Sequence, residues 1–184
     1  MKIKAGLISL VLIIASTMVQ AEMKCEAGKC GGSMKSDMKN TKAPQNSKDY
    51  VYKGNLEAKA IEIKANEYKC SKCNMKVNKL DYVVQVIMEN GDTRFFDDMG
   101  CVILWLKDHA SDKTTILTKT LDTHKWLDAK KVWYSRIAPT PMAYGFAAVE
   151  NKKDGLINYM EMKELMLQGK NLRNPQVKKS LLEK

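Results

Sequence analysis

The sequence predicts an α+β fold: a single compact domain of two similar ββαβ-like units, preceded by a signal peptide and a disordered tail. Three observations carry that expectation. The first 49 residues differ in composition from everything after them. Beyond them, two stretches each read as strand, strand and helix. An Asn90-Gly91 pair between apolar runs, a strong hairpin signal, fixes the register of the first stretch.

The chain opens with Lys2 and Lys4, an apolar stretch from Ala5 to Met18, and a small-residue exit at Val19-Gln20-Ala21. That order describes a secretory signal over residues 1–21. The apolar run is shorter than the roughly 20 residues a bilayer-spanning helix needs. Cleavage and export to a periplasm are expected, with inner-membrane attachment if the leader is retained. No later stretch is long enough to span a membrane. Residues 22–49 are rich in Lys, Gly, Ser, Asn and Asp and have no aromatic side chain, so they read as a disordered tail. That tail nevertheless holds Met23, Cys25, Cys30, Met34 and Met38. Soft sulfur ligands on a tether suit auxiliary copper(I) capture, and a Cys25–Cys30 disulfide loop is an equal alternative.

Globular patterning runs over residues 50–170. Tyr82 to Met88 and Thr93 to Phe96 are the strands of the first hairpin, with Met88 a strand-core residue. Asp97 or Asp98 then caps a buried helix from Met99 to Lys107, in which Met99 and Cys101 are expected as core residues and His109 as a partly exposed end. In the second half, Ala129 to Ile137 reads as a strand, and PTPMAYGFAAVEN as a proline-bracketed turn leading into another. A helix is expected from Asp154 to Gly169, with Met160, Met162 and Met166 filling the core. Residues 171–184 read as a basic C-terminal tail.

The formal charge is +10, or +8 without Lys2 and Lys4. No aromatic-basic stacking motif or basic helical stripe accompanies it, which argues against nucleic acid. The charge reads instead as a solvated basic face drawn to acidic partners or lipid. Five cysteines are too few, and odd in number, for a disulfide scaffold. No nucleophile-base pair, phosphate loop or carboxylate pair appears, so no enzymatic activity is expected.

The chemistry concentrates in Cys70-x-x-Cys73-x-Met75. A structural zinc site needs four ligands, usually from two pairs. Neither a second Cys-x-x-Cys nor a histidine pair exists, since His109 and His124 stand alone. A redox dithiol at a helix start would suit a thioredoxin-like enzyme, but this motif precedes a hairpin. That reading stays open without being favoured. Thiolate with thioether is the donor set monovalent copper prefers, and Met75 tips the balance.

Cys-x-x-Cys-x-Met-x-Val before a hairpin, then Gly-x-x-x-Phe-Phe-Asp and a buried helix, resembles the NosL family of accessory copper proteins in nitrous oxide reductase assembly. The later Lys-x-Trp-Tyr and Pro-Met-x-Tyr-Gly-Phe-x-Ala resemble that family's second signature, and the likeness spans about Tyr68 to Gly169. It implies copper(I) binding and delivery to an apo-cuproenzyme, nitrous oxide reductase or its maturation complex, on a fold like the small domain of organomercurial lyase. Carried over by motif, the metal ligands are Cys70, Cys73, Met75 and Met142. Asn74 and Ala143 stand where the family usually carries glycine, and the leader lacks the family's lipid-attachment cysteine. A thiol-disulfide protein acting through Cys70 and Cys73, and a passive metal-sequestering protein, are the alternatives.

Overall fold

The hairpin around Asn90-Gly91 lies at the centre of the first sheet. The computed structural model describes residues 49–109 and 113–183. The expected leader and the candidate tail ligands Met23, Cys25, Cys30, Met34 and Met38 lie outside the described residues. Strands β1 (Val51–Tyr52), β2 (Val84–Ile87) and β3 (Thr93–Phe96) belong to one antiparallel sheet with β4 (Thr115–Lys119) and β5 (Trp126–Asp128). Their order is β1-β3-β2-β4-β5. Val84 stands opposite Phe96, and Ile87 opposite Thr93. Gly91 takes a φ of 79°, in the left-handed region where glycine has no Cβ penalty. The Met88 N–H closes the turn on the Asp92 carbonyl at 2.9 Å.

Strand β2 is buried on both faces, which pleating assigns to alternate residues. Val84 and Val86, paired with Phe96 and Ile116 of neighbouring strands, face the main core. Helix α1 (Met99–His109) covers that side, its Trp105 meeting Phe96 edge-on at 5.5 Å. On the other face the buried Gln85 amide imitates a strand pairing, accepting from Ile61 N–H at 2.9 Å and donating to Ile61 C=O at 2.6 Å. An irregular segment is thereby fastened across the sheet with both amide groups satisfied.

A second, two-stranded sheet pairs β6 (Trp133–Ser135) with β7 (Ala147–Val149). Helix α2 (Tyr159–Leu167) follows and packs against α1 and β6. An antiparallel pair followed by a helix thus occurs twice, as β2-β3-α1 and β6-β7-α2. Strands β4 and β5 have no counterpart in the sequence reading. Threonine-rich β4 shows the period-two burial of a strand, but its buried side is half polar: Ile116 and Thr118.

Helix α2 starts at Tyr159, not at Asp154. Gly155 is left-handed, and Ile157 exchanges two backbone hydrogen bonds with Tyr134, at 2.8 and 3.0 Å, so the chain is still extended there. Asn158 then caps the helix by accepting from the Glu161 N–H at 3.0 Å. Met162 and Met166 enter the core as expected, whereas Met160 is 68% exposed. Tyr159, Met162 and Met166 share the inward stripe, and Met160 lies off it. Within the expected basic tail, Pro175–Leu182 forms α3, capped by Asn174.

Candidate metal centre

Cys70 and Cys73 sit on a tight turn whose stems are joined by a bridge between Lys69 and Lys76. The Cys70 N–H donates to the Met75 carbonyl at 2.7 Å, and the Asn74 N–H to the Cys70 carbonyl at 3.0 Å. Asn74 is left-handed, at φ 67°, a conformation asparagine tolerates better than other non-glycine residues. Its side-chain oxygen accepts from the Tyr50 hydroxyl. The turn docks onto the end of β3, where the Ser71 N–H donates to the Phe95 carbonyl at 3.0 Å and Tyr68 stacks on Phe95 at 4.0 Å.

At that strand end the chain turns into α1 through two adjacent aspartates with different tasks. Asp98 is the helix cap: one carboxylate oxygen accepts from the Gly100 N–H at 2.8 Å, the other from the Met142 N–H at 3.0 Å. Burial pushes its carboxyl up to about 6, against the opposing pull of donors from Thr140, Gly100 and Met142. Asp97 turns the other way and accepts from the Cys73 thiol at 3.4 and 3.5 Å. Cys101, in the first turn of α1, completes the group.

The ligand atoms of Cys70, Cys73, Asp97 and Cys101 all lie within 4.8 Å of one another. That is close to the roughly 4.6 Å spanned by two metal–sulfur bonds of about 2.3 Å. The cluster can hold a metal ion. Cys70 and Cys101 are fully buried, Cys73 is half-buried, and all three are free thiols. The Cys101 thiol donates to the Cys70 sulfur, which draws the Cys70 pKa down and drives that of Cys101 up. Burial, reinforced by the neighbouring Cys70, pushes the Cys73 thiol up to about 12. The pocket therefore favours one thiolate over three, and a bound cation would supply the missing positive charge.

Cys70 and Cys73 come together as the motif spacing implied. Met75 lies on the same turn with its side chain 46% exposed. Met142 is half-buried against the core, its backbone tied to Asp98, the residue after the cluster's aspartate. Ala143 beside it is left-handed at φ 56°, as Asn74 is beside Cys73. Sequence reasoning placed Cys101 only in the core and Asp97 only as a cap. The core placement is right for Cys101, but its sulfur also faces two other thiols. The one available signal was a four-residue spacing, Asp97 to Cys101, across a helix start. With these donors present, the absence of a second motif pair no longer argues against zinc.

Met99 is a core residue as anticipated, and His109 is an exposed helix end whose ring stacks on Trp105 at 4.1 Å. In comparisons with known proteins, the chain matches no family model and no curated protein.

Proposed function

We propose that this protein is an exported, non-enzymatic copper(I)-binding protein of the NosL kind. It would act as a chaperone delivering copper in the periplasm to an apo-cuproenzyme, such as nitrous oxide reductase, or to its maturation complex. The observation that carries the reading is the convergence of three cysteine sulfurs, without histidine, in one largely buried cluster. Thiolates are the protein ligands that monovalent copper prefers. Two further features support it. Asn74 and Ala143, at the positions where the family usually carries glycine, both have the left-handed backbone glycine adopts freely. The two strand-strand-helix passages accord with two similar units. Met75 follows Cys73 on the same turn and the Met142 backbone is bonded to Asp98, and a thioether from either would favour copper(I) further.

A second reading rests on Asp97. Three thiolates and a carboxylate make a four-donor set that zinc also accepts. The deciding experiment titrates the reduced protein with copper(I) and with zinc against competing chelators. Copper(I) should displace zinc, and a Cys70→Ser, Cys73→Ser double variant should lose the tightest copper site. Unchanged copper affinity in that variant would sink the reading. Transfer of copper to an apo-cuproenzyme, as opposed to retention against it, separates chaperone from sequestering protein.

A further inference from the structure

A cavity of about 900 Å³ opens between α1, β4, α2 and the turn that carries Lys130. Ile103, on its wall, lies roughly 200° around α1 from Cys101, so the cavity is on the side of the helix away from the metal cluster. Its volume falls in the roughly 300–1,000 Å³ range of small-molecule sites. Ile103, Ile116 and Tyr159 give it an apolar floor, each almost completely buried. Met160 and Leu167, left 68% and 45% exposed on α2, form an apolar rim.

The polar lining is one-sided. Lys107, Lys130 and Lys163 border the cavity, and among the described residues none of their ammonium groups meets a carboxylate and no acidic side chain lines the space. Thr114 also lines it, only 8% exposed, and among the described residues its hydroxyl has no hydrogen-bond partner. That hydroxyl is itself sealed from water, so the lysines are the polar groups a ligand's head would meet. Apolar walls bordered by unpaired cations describe a ligand with an apolar body and an anionic head. We propose that this cavity binds an anionic amphiphile, a single apolar chain ending in a carboxylate or a phosphate. The lysines hold the head, and the floor and rim cover the chain.

The test is calorimetric titration of the full, metal-free chain with dodecanoate and dodecyl phosphate, both below their micellar concentrations. Dodecanol and acetate serve as the chain-only and head-only probes. At least one of the two anions should bind saturably, one per protein, and the tighter of them identifies the head group. Dodecanol and acetate should each bind at least about tenfold more weakly, because a charge-assisted contact is worth about that factor. Lys130→Glu and Lys163→Glu should each weaken the anion about tenfold. A Cys70→Ser, Cys73→Ser protein should bind the anion normally, so this outcome is independent of the metal reading. Dodecanol binding as tightly as the anions, unchanged binding in both lysine variants, or no saturable binding would each overturn the proposal.

Discussion

Two thiols of the cluster and one strained residue beside Met142 each give a measurable consequence. Cys101 shares a hydrogen bond with Cys70 at the buried end of the group. Its replacement by serine should lower metal affinity as much as Cys70→Ser does, at least about tenfold, in a chelator competition. A variant binding as wild type would remove Cys101 from the site. Cys73 is held protonated up to about 12, and Cys101 also lies above the ordinary thiol range. Metal ligation needs thiolates, so binding through all three sulfurs at pH 7 should release at least about two protons per ion. Apparent affinity should accordingly rise with pH between 6 and 8. Calorimetry in buffers of different ionisation enthalpy counts the protons, and a count of zero contradicts this arrangement. Ala143 carries left-handed strain that glycine would not. Ala143→Gly should raise stability by about 0.5–1 kcal/mol in denaturant unfolding. At this scale the sequence revealed Cys70 and Cys73, because two cysteines on one turn declare themselves by spacing. It hid Cys101, because a cysteine in an apolar helix looks the same whether its sulfur meets leucines or thiols.

The junction of β3 and α1 is the element on which both cap and cluster depend. A helix start was legible from the aspartate pair, but not which aspartate caps, since that depends on where the cysteine turn docks. Asp98 is fully buried, and its folded pKa of about 6 lies above its ordinary 3.8. A raised carboxyl means the folded state prefers the protonated form. Its contribution is therefore fully present below pH 3.8 and is lost as pH rises to about 6. The upper limit of that loss is on the order of 3 kcal/mol. Asp98→Asn keeps an acceptor for the Gly100 N–H and should flatten this slope in unfolding experiments between pH 4 and 6. An unchanged slope would assign it to other groups. Gly100 fails to accommodate any side chain for a different reason: an added Cβ would lie 2.3 Å from the Tyr144 ring. Gly100→Ala should destabilise the domain by about 1–3 kcal/mol through overpacking, and so loosen the junction. Helix α2 shows the converse limit of local reading. Its amphipathic pattern was visible, yet its start was set by the pairing of Ile157 with Tyr134, a contact that only the folded chain creates.

For the molecule as a whole, the cluster joins segments about thirty positions apart in the chain, and an ion binding only the folded form should stabilise all of it. At free metal near 100 times the dissociation constant the gain is about 2.7 kcal/mol, on the order of 10 °C in melting temperature. Adding a strong chelator should reverse it, whereas a melting curve indifferent to metal would mean that the tight site lies elsewhere. The α+β class was legible because two hairpin-and-helix passages stand out in an otherwise polar chain. The five-stranded extent of the first sheet was not, because β4 buries threonine where a strand usually buries valine.

If the cluster holds an ion, the unequal burial of its three sulfurs would give metal exchange a direction. Cys70 and Cys101 are sealed inside the domain, and Cys73, braced by Asp97, is the one sulfur that reaches the surface. An incoming thiol could reach an ion held there only from that side. Cys73 would then release the ion first and the two inner thiols last. On the proposed chaperone reading, acquisition would run the same sequence backwards, with the rate of handover set at Cys73 and the strength of retention at the buried pair.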